Sequence, residues 1–302
     1  SSCGEIINRN IVGAGLCKLT PLQNMKIIQN IKKIIVVIVN YNSDQLSYLK
    51  KVINEFKNFK KYKVDIFVHS NIDINRGDVT TIIHDHPPEN GWNWLPWECR
   101  KTIYENKDNY DLYLYTENDH FYKESHIDSF LNATYVLPEN LIPGFIQYED
   151  FPNLNKDKFY PAYHANYEWD FESVQKIGKY IIAQFKNLHH AGFLLTDYQL
   201  NKVLDQMKDN FLIDEKRGIK IEGLPGYDSP KVRCCTDVYT HCGMKKVIPI
   251  SHFDDFLIHH LPNKYISLNC INGHWISIEA KDNPNYDKMK TAIEKMLKKY
   301  NN

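Results

Sequence analysis

Every residue from Ile34 to Val39 is β-branched, and no polar residue interrupts the run. Branching at Cβ stiffens the side chain and favours extended backbone. Without polar alternation neither face of such a strand suits water, so the run predicts a central parallel strand covered by helices on both sides. It is also far shorter than the ~20 apolar residues a membrane span needs. Tyr41-Asn42-Ser43-Asp44 supplies a turn and a helix N-cap. The next segment, Gln45 to Phe59, sets Leu46, Leu49, Val52, Ile53 and Phe56 on one helical face. Strands follow over Val64–Asn71 and Val79–His84. Strand, helix, strand, strand is the opening of a nucleotide-binding α/β sheet.

A second short run, Leu112 to Thr116, stops abruptly at Glu117-Asn118-Asp119. In open α/β sheets ligands gather beyond the carboxyl ends of the strands, which makes this triplet the expected site. Side chains two apart on extended backbone point the same way, so Glu117 and Asp119 are aimed together. Two convergent carboxylates suit a hard divalent ion that keeps positions open for water or phosphate oxygens. A polar loop closing a strand is the plainer reading of the same residues.

Around these strands, Trp92–Lys107 reads as a helix with Pro96 in its first turn and Arg100 midway. Ser125 to Leu137 is a helix capped by Ser125, and Ile142–Glu149 is a further strand. Past Asp150 aromatics and histidines accumulate, as in Tyr160, Tyr163, His164, Tyr167 and Trp169. His189–Thr196 reads as a loop entering a strand, and Thr196 or Asp197 caps a helix to Met207. Gly and Pro punctuate Lys216–Pro230; Val232–Cys242, Lys246–Ile250 and His252–His260 close the globular part before a Lys-rich terminal helix. The expected organisation is an extension over residues 1–30, a nucleotide-binding half over 31–150 and an acceptor-binding half over 151–302, the two halves interwoven as a single domain.

Composition removes several classes of function. With 302 residues, 43% hydrophobic and 25% charged, the chain can bury a sizeable core. Lys+Arg and Asp+Glu both total 37, so no bulk field draws it to nucleic acid or to an anionic membrane. The 20 tyrosines suit stacking on sugars or bases, and equally suit strands. Seven cysteines form no CxxC pair, which predicts reduced, buried thiols; the spacing of Cys234, Cys235, His241 and Cys242 fits no usual zinc pattern. The N-terminus lacks a signal-peptide layout, so the expectation is a soluble, cytoplasmic protein.

Val36-Val37-Ile38-Val39-Asn40-Tyr41-Asn42-Ser43 resembles the opening strand of GT-A glycosyltransferases. Glu117-Asn118-Asp119 resembles their DxD metal motif, with Glu in place of the first Asp. Arg100, on the helix before that strand, is similar to the family's Arg that faces the donor nucleotide. Pro143–Glu149 and His189–Phe193 are similar to segments of one branch of these enzymes. The resemblance covers about Ile34 to Glu149 and thins afterwards. It implies a GT-A-like α/β sheet, a nucleotide-sugar donor, UDP-sugars first, and an acceptor hydroxyl on a glycan, protein or lipid. It also implies a late histidine on the same metal, for which His260 of the pair His259-His260 is chosen. The donor's base and ribose would lie against Asn40, Tyr41, Asn71, Asp73 and Asn118, residues that turn chemistry also explains.

The chemistry of such a transfer is consistent with those residues. Charge developing on a leaving diphosphate needs neutralising, which Mn2+ or Mg2+ on Glu117, Asp119 and His260 would do. An inverting reaction needs a carboxylate base for the acceptor hydroxyl. Asp237 is the first candidate, with Glu168, Asp170 and Asp228 behind it. The competing class is a non-catalytic sugar- or nucleotide-binding α/β module. A metal-dependent nucleotidyl- or phosphotransferase is a further enzyme class, but the sequence holds no P-loop or Gly-rich phosphate loop.

Overall fold

The computed structural model describes residues 31–150, 158–161, 168–213, 229–240, 242–271, 274–279, 282–283 and 287–300. The extension over 1–30, Tyr163, His164, Tyr167, Asp228 and His241 lie outside these. The strands are β1 (Lys33–Asn40), β2 (Lys63–Ser70), β3 (Thr80–Ile83), β4 (Leu112–Glu117), β5 (His120–Phe121), β6 (Leu141–Pro143), β7 (Ile146–Asp150) and β8 (Lys158–Phe159), then β9 (Trp169–Ile177), β10 (Tyr180–Phe185), β11 (Gly192–Thr196), β12 (Lys245–Pro249), β13 (Leu257–His260), β14 (Leu268–Ile271) and β15 (His274–Ser277). The α-helices are α1 (Leu46–Lys57), α2 (Leu95–Glu105), α3 (Glu124–Val136), α4 (Asp197–Met207), α5 (Pro230–Thr240) and α6 (Lys288–Lys298).

The central sheet has the order β11-β4-β1-β2-β3. β3, β2, β1 and β4 run parallel and β11 runs antiparallel on the edge beyond β4. Ile34 through Ile38 expose no surface, as an unbroken β-branched run requires of a strand covered on both faces. α1 turns Leu49, Val52, Ile53 and Phe56 inward, the face its spacing predicts. α2 buries Trp97, Cys99, Arg100 and Ile103, and the Trp97 indole donates to the carbonyl of Pro230 at the start of α5 (2.9 Å). The result is a mixed α/β fold with helices flanking the sheets.

Two smaller sheets, ordered β6-β12-β10-β9 and β5-β13-β7-β8, adjoin it, with β14 and β15 forming a separate ribbon. β11, late in the chain, completes the early sheet, and β13 joins β5 to β7, so residues Ile31–Asn302 form one compact unit. The core of the second half gathers Trp169, Val174, Phe185, Ile248, Leu257, Met289 and Ile293.

Several expected boundaries shift. Ile142–Glu149 is two strands, because the chain leaves one sheet for another at Gly144. A Cβ at Gly144 would lie 2.1 Å from Cε of Lys246, so any other residue would have to displace that side chain. Helix α3 begins at Glu124, and the Lys123 amide donates to Nδ1 of His126 (2.9 Å) in place of a Ser125 cap. α1 is capped at Gln45 without a side-chain bond, since the Gln45 amide is used elsewhere. Thr196 does cap α4, exchanging hydrogen bonds with Gln199. The first part of His252–His260 is 3-10 helix, and only its last four residues are strand. The β9–β10 hairpin, turned at Gly178 with φ of 56°, has no counterpart in the sequence reading. Among the described residues no helix is long and apolar enough to cross a membrane.

Candidate metal centre

Strand order reverses at β1: β2 lies on one side and the later β4 on the other. Such switch points open a crevice at the carboxyl ends of the strands. Here a chain of amides closes its floor. Asn118 Nδ2 donates to Asn40 Oδ1 (2.7 Å), and Asn40 Nδ2 donates to Ser70 Oγ (3.0 Å) and to the Asn42 carbonyl (3.2 Å). Asn42 stands in the left-handed region at φ 59°, and Asn71 holds it by accepting from its amide (2.7 Å) and donating to its Oδ1 (2.8 Å). Tyr41 is 48% exposed, its ring centroid 5.7 Å from that of Trp92. Asp73 accepts from the Asn75 amide (2.8 Å), the turn chemistry its residue type favours.

Beyond the end of β4 a turn through Asn118 and Asp119 leads into β5, where His120 pairs with His260 of β13. The turn and this pairing bring together three buried side chains, Asp119, His120 and His260, whose ligating atoms all lie within 4.8 Å of one another. His120 Nδ1 is 2.8 Å from Asp119 Oδ1, and His260 Nε2 is 3.3 Å from Asp119 Oδ2. Gln45 Nε2 donates to the same Oδ2 (2.9 Å). The far nitrogens are held as well: His120 Nε2 faces Gln147 Oε1 (2.9 Å) and His260 Nδ1 faces Glu149 Oε1 (2.6 Å).

Electrostatics follow from this packing. Burial works against the Asp119 charge, but the attraction of His120 and hydrogen bonds from both histidines hold its carboxyl well below the usual range. Burial likewise opposes the charge on His260, and its bonds to Asp119 and Glu149 raise it to about 9. Glu117 moves the other way, raised by burial and by the neighbouring Asp119 charge. With neutral imidazoles whose far nitrogens donate outward, two lone pairs and a carboxylate converge on one point. Three acceptors facing one another are satisfied by protons or by a cation, so these residues fit a divalent metal. Two imidazoles and one carboxylate suit borderline first-row ions and leave positions open; Mg2+, which prefers all-oxygen shells, fits this set less well than Mn2+.

Asp119 and His260, expected together, are together. Glu117 lies outside this group of three, because the alternation that aims it alongside Asp119 ends with the strand at Glu117. His120 stands in the group instead, a residue absent from the sequence reading although it directly follows Asp119. Arg100 and Asp237, expected at the donor and at the acceptor, lie against each other. Arg100 has no exposed surface, lies 4.3 Å from the ring centroids of both Trp97 and Phe211, and contacts Asp237 Oδ2 and the Cys234 carbonyl at 3.3 Å each. A phosphate clamp and an acceptor base must both face a ligand; these two face each other in the interior. Glu168 is exposed and within 3.9 Å of Lys186, and Asp170 accepts from the Glu172 amide (3.1 Å) in a local turn.

No family model matches the chain, and no curated protein matches it. Among solved structures, residues 1-349 of S. aureus TarS align over 75% of this chain and 60% of their own length, at 11% identity and a TM-score of 0.39. Mannose-1-phosphate geranyltransferase from Thermus thermophilus aligns over 76% of this chain and 74% of its own, at 6% identity and a TM-score of 0.38. The chain thus spans less than two thirds of the TarS fragment. Likeness this distant has no bearing on the chemistry of the site.

Proposed function

We propose that this chain is a divalent-metal-dependent glycosyltransferase, moving a sugar from a nucleoside diphosphate sugar, UDP-sugars first, to an acceptor hydroxyl on a glycan, protein or lipid. The observation that carries the reading is the Asp119–His120–His260 cluster at the switch point of a largely parallel sheet. Asp119, His120 and His260 would hold the ion, whose chemistry is Lewis-acid neutralisation of the departing diphosphate. The Asn40–Asn118 bridge ties the ends of β1 and β4 so that the ligand turn is fixed before any donor arrives. Tyr41, exposed beside Trp92, offers a ring for the donor base, and Asn71 steadies the turn that carries it. Gln45 reaches across from the start of α1 to orient the Asp119 carboxylate.

The same donor set serves non-haem iron enzymes. The switch-point setting favours the diphosphate reading, and a metal panel separates the two. Titration calorimetry with UDP in Mn2+ and in chelator should show binding that depends on the metal. Equal affinity in both conditions would remove the metal bridge. Mn2+-dependent release of UDP from a UDP-sugar distinguishes an enzyme from a binding module. Product anomeric configuration by NMR then tests the expected inversion.

A further inference from the structure

Glu149 exposes no surface, and both of its carboxylate oxygens are in use. Oε2 accepts from the Ile266 amide (2.8 Å), and Oε1 accepts from the Tyr265 amide (3.2 Å) and faces His260 Nδ1 (2.6 Å). Backbone amides can only donate, so the carboxylate is anchored as an acceptor and Nδ1 of His260 must carry a proton. The other nitrogen, Nε2, is the one turned to Asp119. Gln147 stands two residues earlier on β7, hence on the same face. Its Oε1 takes His120 Nε2 at 2.9 Å and leaves Nδ1 for Asp119. The ladder makes this arrangement a unit: β13 pairs with β7 on one side and places His260 opposite His120 of β5 on the other.

We propose that Gln147 and Glu149 are positioning residues of the metal centre, presenting His120 through Nδ1 and His260 through Nε2 and thereby setting its affinity. The inference rests on the metal reading of the cluster. Ligating histidines ordinarily donate their second N–H to a carboxylate or carbonyl, and loss of such a partner weakens metal binding roughly 10–100-fold. One strand with acceptors at alternate positions fixes both rings, in opposite senses, and so makes the ligand geometry a property of β7 rather than of the loops.

The test uses the full chain with Mn2+, Co2+ or Zn2+ alone as the probe. Calorimetry should find both Gln147→Met and Glu149→Gln weakened by roughly 10–100-fold. Gln147→Glu, which restores an acceptor, should bind at least as tightly as wild type. A side chain that merely fills space would not rank Met below Glu in metal affinity. In the Zn2+-loaded protein, nitrogen-15 NMR of the imidazoles should find the proton on Nδ1 of His260 and on Nε2 of His120. The reverse tautomers, or variants with wild-type affinity, overturn the proposal. If Glu149→Gln fails to fold, the Gln147 pair decides it. A wild-type chain that binds none of the three ions overturns the metal reading itself, an outcome distinct from wild-type binding that the variants leave unchanged.

Discussion

Arg100 shows how little a charged side chain's type reveals about its task. Both flanks of its guanidinium are covered by aromatic rings and its partner Asp237 is equally enclosed, so the pair is part of the interior. Removing one partner of a buried pair strands the other charge, which costs about 3–5 kcal/mol. Asp237→Ala should therefore lower stability to urea by that order while nucleotide and metal affinity hold. Combining Arg100→Met with Asp237→Leu should recover most of the loss; a single variant with wild-type stability would show the pair to be dispensable. At the cluster the expectation is the opposite. His120→Ala should lose metal binding by calorimetry with little change in fold, and Glu117→Gln should stay within a few-fold of wild type. A Glu117 variant that loses the metal would restore the two-carboxylate arrangement that strand alternation predicts. The acids at the end of β4 are legible because composition changes there so sharply. His120 is not, since a turn resets which neighbours share a face. The pairing of Arg100 with Asp237, far apart in sequence, has no local signal at all.

At the scale of elements, the strands that form the early sheet can be read because burial on both faces leaves an unbroken apolar run. The later elements are half-buried and mixed, so their periodicity is weak and the β9–β10 hairpin leaves no clear pattern. Glycines carry part of what is hidden. Gly192 opens β11 opposite Thr116, and a Cβ there would lie 2.4 Å from the Tyr115 carbonyl oxygen in β4. That atom is backbone inside a ladder and cannot swing away. Gly192→Ala should force β11 from β4 and cost about 1–3 kcal/mol, the usual range for overpacking. Because Glu117 donates its amide to the Ala191 carbonyl (3.2 Å), hydrogen exchange at Glu117 should accelerate in the same variant. Unchanged exchange and stability would mean the edge strand shifts freely. Gly144 makes the same point for the β6–β7 break, where the obstructing atoms belong to a lysine that is itself pinned.

That lysine, Lys246, ties separate parts of the molecule together and gives the whole a measurable dependence on pH. Its Nζ, in the interior, donates to the Leu188 carbonyl (2.9 Å) and to His190 Nδ1 (2.7 Å), with the Tyr239 ring centroid 5.0 Å away. Burial pushes its ammonium down to about 7, opposed by the nearby Cys235, while burial also holds His190 neutral, well below the ordinary histidine range. In the unfolded chain a lysine titrates near about 10.4. Between these two values the unfolded state holds a proton that the folded state has released. This group alone then raises stability with pH across that window, by up to about 1.4 kcal/mol per unit. Other groups oppose it. His260, raised to about 9, keeps in the folded chain a proton that the unfolded chain releases near about 6.5. Burial raises the Cys234 and Cys235 thiols and the Tyr115, Tyr122 and Tyr239 phenols, which act in the same sense at higher pH. The lysine's share is therefore read as a difference, from urea unfolding of the metal-free wild type and of Lys246→Met at pH 7, 8 and 9. Lys246→Met loses two hydrogen bonds, so its absolute stability can move either way, but the stability of wild type minus that of the variant should rise with pH over the same range. A difference that stays flat from 7 to 9 would place the charged ammonium in the folded interior after all.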